Sequence, residues 1–525
     1  MGKKARRNIF SNFKRFFLIS FLVLITISWA QAAEPTKATA NVESDFVTVY
    51  PDKFTDKEKA LVEKFIAENK AIDDRGPIDI KALVSGTLPK NTPGVGAKLV
   101  VTREMMLYDS QKYDPENPVL NVAEYAKKLG YKDIIAYPTF APNDDIIMPK
   151  YPAAARDKML VADLNHNITY YKPIYPGDTL YTVINKRYFV DATPKEGSTY
   201  RNVCIYSQAS IYNQNGEKVN DAIFRVMENI RFLKEGKTAI GDGGPMLAWE
   251  SPAWKSRPAH MYTDEDWKKI KELWLQEKRQ GATPLYWEDV KVGDYTVKTV
   301  DGPIMASVNP TEPYGMGTGG SRTLKKEIMD PAIFKTMIKD ENGIYLTVNK
   351  DVYIPSVPAL QSTTGAAPAA VAPAATAPAA APAGEFKTAD IHKAAGSERA
   401  VIFNFVGRDM AIRNINNWMG DKGWLYNIRW SIMAPSAMKA VGKTVLQSPL
   451  SERYVQRVPI LAKANRVVNA HPLSYDLAII QAYIEKKYEK NGEYFVDLVW
   501  WNETIDGYIW EEGGATVRLP SKNKK

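Results

Sequence analysis

The sequence contains very little cysteine and histidine. Of its 525 residues one is cysteine, Cys204, and four are histidine. A single cysteine cannot form an intramolecular disulfide, so the fold has to be stabilised by ordinary apolar cores. No two histidines have the His-x-x-x-His spacing of a metal site, and none lies near the cysteine. We therefore expect no metal site, and we predict that Cys204 is a buried strand residue.

The body of the chain also has little net charge. The formal net charge of +9 is accounted for by six basic residues in the first 32 positions and by Lys522, Lys524 and Lys525 in a basic tail, 521–525. Acidic and basic residues balance between these two ends, so no nucleic-acid partner is predicted. With 45% hydrophobic residues, the chain is long enough for two or three domains with full cores.

Acidic residues are absent from the first 32 positions. The six basic residues precede or flank a charge-free, predominantly apolar run at 16–27, and Ala30-Gln31-Ala32 supplies a small-x-small cleavage pattern. This arrangement is typical of a signal peptide. An uncleaved anchor is the alternative, but the run is shorter than the roughly 20 residues that span a bilayer. We expect cleavage near Ala32, export to the periplasm, and no membrane span in the mature protein.

Two segments of unusual composition divide the rest of the chain. Residues 362–384 are almost entirely alanine and proline, which is typical of an extended linker or loop. Glycines and prolines also interrupt the pattern at 238–256, before a polar helix predicted at 263–281. The predicted organisation is a first domain at 33–237, a connector at 238–281, and a second domain at 282–520 that is interrupted by the Ala/Pro insertion at 362–384.

Both domains end in the same pattern of apolar strands and tight turns. The turns are a Pro/Gly turn at 194–197 and Asn215-Gly216 in the first domain, and Asn491-Gly492 and Asp506-Gly507 in the second. Asn-Gly and Asp-Gly tolerate the positive φ angles of hairpins. Each domain is therefore predicted to be α+β, with a helix wrapped by a curved antiparallel sheet. The predicted strands are 179–190, 200–212, 222–232, 427–432, 478–484, 494–501 and 516–519, and the predicted helices are 122–129 and 408–418.

Four motifs occur in a recognisable order. They are NPVLNVAEYA at 117–126 with IIAYPTF at 134–140, YKPIYPGD at 171–178, ATPLYWEDVKVGD at 282–294, and NNWMGDKGWL at 416–425. Together they resemble the MaoC-like acyl dehydratases and (R)-specific enoyl-CoA hydratases, in particular the double-hotdog branch with a fatty-acid-synthase-like dehydratase domain. The resemblance runs from about residue 97 to 520. It implies a tandem hotdog fold, no cofactor, and hydration of a 2-enoyl thioester or the reverse dehydration.

The family's catalytic pattern is incomplete in the first domain. Such hydration needs a carboxylate and an imidazole close together, which the family supplies from an Asp-x-Asn-Pro-x-His pattern leading into a helix. By the resemblance, Asn117 is retained, but Leu120 occupies the place of the imidazole, and Pro115 that of the acid, with Asp114 shifted by one residue. The first domain is therefore expected to bind substrate, with Asn117 in the pocket, and not to catalyse by the usual route.

The resemblance then assigns the catalytic pair to the second domain. His392 is the candidate base and Asp390 its companion, although residues two apart converge only in a strand or loop. A solvated surface histidine at the edge of the linker is the alternative. Asn404, Arg408 and Asp409 lie near a helix start, where N–H groups would face a thioester oxygen, and are predicted to bind substrate.

Two further groups complete the predicted site. His166 precedes a segment where family members carry polar pocket residues, so it is a candidate substrate-binding residue. The stretch with Asn416, Gly420 and Asp421 is interpreted as architectural, with glycine taking a positive φ.

Three functions stay open on this evidence. The first is a hydro-lyase acting on an acyl or related alkene substrate. The second is a non-catalytic exported hotdog protein that binds an acyl, sterol-like or aromatic ligand or a protein partner. The third is hydration of a free unsaturated compound, which would reconcile the chemistry with export, because coenzyme A is cytoplasmic. Association into a homo-oligomer is also left open.

Overall fold

A computed structural model describes residues 67, 70–96, 98–141, 159–191, 200–231, 257–304, 321–347, 405–431, 453–470 and 472–523. The helices are α1 (Ile80–Ser85), α2 (Arg103–Tyr113), α3 (Pro118–Asn121), α4 (Ala123–Lys128), α5 (Asp264–Gln276), α6 (Ser321–Met329), α7 (Pro331–Phe334), α8 (Phe405–Met419) and α9 (Pro459–Lys463). The strands are β1 (Leu99–Val100), β2 (Met159–Tyr170), β3 (Thr179–Asp191), β4 (Tyr200–Tyr212), β5 (Lys218–Arg231), β6 (Thr299–Asp301), β7 (Met337–Lys339), β8 (Tyr345–Thr347), β9 (Trp424–Ser431), β10 (Ala478–Lys490), β11 (Glu493–Glu503) and β12 (Ile509–Leu519).

One antiparallel sheet of ten strands runs through the molecule, in the order β1-β3-β4-β5-β2-β9-β12-β11-β10-β6. Strands β1 to β5 come from the first half of the chain, and the other five come from the second half. The halves join where β2 pairs with β9, with Ile168 opposite Ile428 and His166 opposite Trp430. The strands of the two halves therefore form one continuous sheet, joined by the backbone hydrogen bonds between β2 and β9.

Helix α8 packs against the sheet of the second half. It contacts β9, β10, β11 and β12, and Ala411, Ile415 and Met419, spaced four residues apart on one face, are buried in the core shared with Trp500 and Trp510. Several of its polar side chains are buried as well and have specific partners. For example, the Asn414 side chain accepts from the Thr296 hydroxyl at 2.8 Å.

The first half is covered by shorter helices. Met106 of α2 packs with Ile134, Ile174 and Leu180 in one apolar cluster, while Leu120 of α3 belongs to the larger core that also contains α8. A helix-covered antiparallel sheet in each half, joined edge to edge, confirms the predicted α+β tandem hotdog fold.

Several predicted elements need correction in their bounds. The connector helix α5 begins after the capping residue Thr263, as expected, but ends at Gln276 because Glu277 leaves helical geometry with ψ at 125°. Strand β10 continues to Lys490, six residues beyond the predicted end, since a bulge between Ile484 and Lys486 breaks the apolar alternation. Strand β12 likewise begins at Ile509, well before the predicted start at 516.

Some predictions concern residues outside the described ranges. These are the signal peptide at 1–32, the turn at 194–197, the boundary at 238–256, the insertion at 362–384, and the site residues Asp390, His392 and Asn404. Cys204 lies in β4, as predicted, but its side-chain burial is likewise not described. None of the helices in the described ranges is long and apolar enough to cross a membrane.

Candidate functional site

A cleft that is partly open to solvent lies between the two halves, and its empty space, with the open solvent at its mouth included, is about 710 Å³. Apolar side chains form most of its wall, and a smaller polar group contributes from both halves and from the connector. The apolar side includes Val119, Leu120, Ile135, Pro138, Ile174, Met419 and Leu425, and the polar side includes Asn117, Asn220, Arg279, Asn416 and Asp421. An elongated apolar ligand with one polar end fits this distribution of side chains.

The polar side of the cleft is held by Arg279 of the connector. Its Nη1 donates to Asp421 Oδ2 at 3.3 Å and its Nη2 donates to Asn117 Oδ1 at 2.8 Å, and a further short bond joins Nη2 to Asp421 Oδ1. The Tyr125 hydroxyl donates to the same Asp421 carboxylate at 2.5 Å. One guanidinium therefore ties α3 and the end of α8 together across the cleft.

Asp114 connects this network to the interior. It is 1% exposed and accepts from Asn117 Nδ2 at 3.0 Å and from Asn416 Nδ2 at 3.3 Å. Burial raises the pKa of the Asp114 carboxyl, although these two amides and the positive charge of Arg413 act in the opposite direction. Asn117 also caps α3 by accepting from the Val119 N–H. The retained Asn-Pro motif thus shapes the cleft.

Leu120 lines the cleft and is 3% exposed. It occupies the position that the family pattern gives to an imidazole, and a leucine side chain can neither take nor give a proton.

A second group of polar residues, here called the acid cluster, lies at the beginning of α8. It consists of Asp409 and Arg408 of α8, Asp109 and Tyr113 of α2, and Glu511 of β12. Arg408 Nε donates to Asp409 Oδ1 at 2.6 Å. Burial, and then the charge of the nearby Asp409 carboxylate, raise the pKa of the Tyr113 hydroxyl well above its usual range. Asp109 is half-buried, and the other four are less than a tenth exposed.

The carboxyls of the acid cluster hold protons unusually tightly. Burial, and then the negative charge of Asp409, raise the pKa of Asp109 from 3.8 to about 7. Burial also raises the pKa of Asp409 despite the adjacent Arg408, and raises the pKa of Glu511 well above its usual range. Perturbed carboxyls of this kind concentrate at functional sites.

Tyr137 separates the acid cluster from the cleft. It lines the cleft, its hydroxyl donates to the Asp409 backbone carbonyl at 2.5 Å, and its ring stacks on Tyr113 with centroids 5.6 Å apart. A ligand in the cleft therefore lies one aromatic layer from the acid cluster.

The predicted site residues that the structure describes do not all lie together. Asn117 lines the cleft, as expected of a pocket residue, whereas Arg408 and Asp409 lie in the acid cluster. His166 was predicted to bind substrate, but it lies within β2, is 2% exposed and packs edge-on against Trp430 with ring centroids 4.4 Å apart. It is not among the residues that line the cleft. Arg408 lies over the same Trp430 ring, also at 4.4 Å.

Sequence reasoning missed several residues of the site. Asp109 and Tyr113 carried a signal, because four-residue spacing on a helix places both on one face. Arg279 and Glu511 carried none, since each lies in a segment without a motif. Within the described ranges, no group of three or more metal-ligating side chains is arranged to hold a metal ion.

No protein-family model matches the sequence, and no curated protein does either. Solved structures of similar fold include a MaoC domain protein dehydratase from Chloroflexus aurantiacus, with a TM-score of 0.38 and 11% identity over 82% of this chain and 94% of that one. A MaoC-like dehydratase has a TM-score of 0.38 and 13% identity over 81% of this chain and 96% of that one. A double-hotdog protein from Mycobacterium tuberculosis has a TM-score of 0.37 and 9% identity over 85% of this chain and 98% of that one. These similarities concern the fold.

Proposed function

We propose that this protein adds water to, or removes it from, an α,β-unsaturated acyl or related alkene compound bound in the cleft between its halves. One observation carries the proposal: an apolar cleft lies one aromatic layer, Tyr137, from a cluster of carboxyls with raised pKa values. Hydration requires groups that exchange protons near neutral pH beside a site that holds the alkene. The resemblance to MaoC-like dehydratases in the motifs points to the same reaction.

The charges around the cleft favour a substrate without a phosphorylated carrier. Two of the described side chains that line the cleft are cationic, and both already form ion pairs: Arg279 with Asp421, and Lys172 with Glu217. Coenzyme A carries several phosphate charges and gains little from cations that are bound to carboxylates. The proposed export from the cytoplasm, based on the N-terminal 32 residues, points the same way. A free unsaturated compound is therefore the preferred substrate class.

A second candidate function is ligand binding without chemistry. The observation that favours it is Leu120, an apolar side chain at the family's imidazole position. In that case the cleft would hold an acyl, sterol-like or aromatic molecule. The pair His392 and Asp390, which would restore catalysis by another route, stays a proposal.

The two candidates differ in turnover. Mature protein is incubated with free 2-enoic acids and with crotonyl-CoA, and loss of the conjugated double bond is followed by absorbance. The first candidate predicts turnover, faster on the free compounds, and the second predicts binding with no turnover. Mass spectrometry of the secreted protein tests export through its new N-terminus.

A variant that fills the cleft links either result to this site. Ala136 lines the cleft and is half-buried, so Ala136→Trp should abolish turnover or binding by occupying the ligand's volume. Ala464, exposed at the end of α9, provides the matched control as Ala464→Trp. Equal loss in both variants would show that the effect is not specific to the cleft.

A further inference from the structure

We infer that Asn220 determines which ligands the cleft selects, because its side-chain oxygen accepts a hydrogen bond from a hydroxyl group of the bound molecule. The inference rests on the proposed function, since hydration places a hydroxyl on the β-carbon of an unsaturated acid. The cleft therefore holds a free 3-hydroxy acid more tightly than an acid without the hydroxyl. Asn220 acts in specificity and not in catalysis, because an amide does not exchange protons near neutral pH.

The first argument is the position of Asn220. It lies on strand β5, lines the cleft and is 1% exposed. On the neighbouring strand β2, Tyr170 is paired directly with it and also lines the cleft. Residues that lie opposite each other on paired strands point to the same face of the sheet. Asn220 is thus a polar group in the wall that the first half contributes to the cleft.

The second argument is the orientation of the Asn220 amide. Its Nδ2 donates to the backbone carbonyl of Ala141 at 2.7 Å. A carbonyl oxygen accepts hydrogen bonds and cannot donate them, so turning the amide over would lose this bond. The remaining end of the amide is Oδ1, which is buried and has no hydrogen-bond partner in the described part of the chain. This end of Asn220 is available to a donor from a ligand.

The third argument is the contrast with the other amide and charged side chains that line the cleft. Each of them already has a partner within the protein. They are Asn117 and Asp421, which bind Arg279, Asn416, which binds Asp114, and Lys172, which binds Glu217. A buried acceptor without a partner destabilises a protein. A ligand that donates to Asn220 Oδ1 removes this penalty, so its affinity rises.

A water molecule is the other donor that could bind Asn220. Buried waters make about three hydrogen bonds on average, whereas most of the cleft wall is apolar. A single water beside Oδ1 would therefore find few further partners. A hydroxyl on an apolar chain donates to Oδ1 while the chain covers the apolar wall. The chemistry of the wall thus favours a hydroxylated ligand over a water.

Three ligands that differ at one carbon test the inference on the full mature protein. The affinities of racemic 3-hydroxydecanoic acid, decanoic acid and 3-methoxydecanoic acid are measured by isothermal titration calorimetry. We expect the hydroxy acid to bind about 10-fold more tightly than decanoic acid, as one hydrogen bond to a buried group predicts. The methoxy acid keeps the oxygen but lacks the donor, so it should lose this advantage. Equal affinity for the hydroxy and methoxy acids would overturn the inference.

Asn220→Leu removes the acceptor and keeps a side chain of similar size. The ratio of the two affinities, hydroxy acid to decanoic acid, should fall from about 10 to about 1. Loss of the bond to Ala141 alone would weaken both ligands alike, so a ratio that stays near its original value would refute the role of Oδ1. Asn185→Leu is the matched control, because Asn185 is exposed on β3 and its Nδ2 donates to Ser210 Oγ at 2.7 Å. This control should keep the original ratio.

Turnover separates this inference from the proposed function. Hydration of a 2-enoic acid by the unaltered protein, without a preference for the hydroxy acid, would overturn only the role of Asn220. A preference that disappears in Asn220→Leu, in a protein that turns over neither free nor thioester substrates, would support Asn220 and overturn the hydration. The three ligands decide between these outcomes on the unaltered protein even where Asn220→Leu does not fold.

Discussion

The bond between Arg279 and Asp421 offers a quantitative test of how the cleft is held. Asp421 is 1% exposed in its side chain and Arg279 is 19% exposed. Replacing Arg279 with methionine keeps most of the side-chain volume and leaves the Asp421 carboxylate buried without its cation. Removing one partner of a buried pair typically costs about 3–5 kcal/mol. The Tyr125 hydroxyl still donates to this carboxylate, so we expect a loss of about 3 kcal/mol.

A double-mutant cycle separates the stranded charge from the lost contact. Adding Asp421→Asn to Arg279→Met removes the unpaired charge, and the double variant should be more stable than Arg279→Met alone. The free energy of unfolding is measured in urea by tryptophan fluorescence. Arg103→Met is the matched control, because Arg103 pairs with Asp133 at 2.6 Å but the two side chains are 41% and 26% exposed. Such a pair contributes at most about 1 kcal/mol. Equal losses in Arg279→Met and Arg103→Met would refute the reasoning.

Three further predictions concern the core and the acid cluster. Because burial and the charge of Asp409 raise the pKa of Asp109 to about 7, ionisation of Asp109 opposes folding. The free energy of unfolding, measured by urea titration, should therefore fall as the pH rises from about 4 to 7. Asp109→Asn should make this dependence on pH weaker. Gly407→Ala should lower the melting temperature strongly, since the new Cβ would lie 1.6 Å from Glu511 Oε2 and 2.4 Å from the Trp510 ring. Adding Glu511→Ala should recover part of that loss. Leu120→Ala should cost about 2–5 kcal/mol and admit bulkier ligands in a competition assay.

Local signals explain the parts of the fold that the sequence predicted well. Asn491 and Gly492 adopt φ values of 54° and 72°, and Lys490 pairs with Glu493 on either side of them. That is the two-residue hairpin which an Asn-Gly pair favours. Helix α8 was also predicted, at 408–418, within the observed Phe405–Met419. In both cases a few neighbouring residues determine the structure.

The parts that were missed depend on distant residues. Nothing near His166 indicates that β2 pairs with β9, yet this pairing brings His166 beside Trp430 and joins the two halves. The acid cluster follows from the same junction, since Asp109 and Asp409 belong to different halves. The Asn-Pro motif was found from sequence, but Arg279, which binds Asn117 at 2.8 Å, comes from the connector and has no recognisable pattern. Such contacts form only after the sheet has assembled.

The most direct test of the central claim is hydration of a free 2-enoic acid by the purified mature protein, measured as loss of the conjugated double bond, beside the cleft-filling variant Ala136→Trp and its control Ala464→Trp. We predict turnover by the unaltered protein and by Ala464→Trp, and none when Ala136→Trp fills the cleft. Absence of turnover by the unaltered protein on free and thioester substrates alike, with a ligand still bound in the cleft, would contradict the account and leave a binding protein.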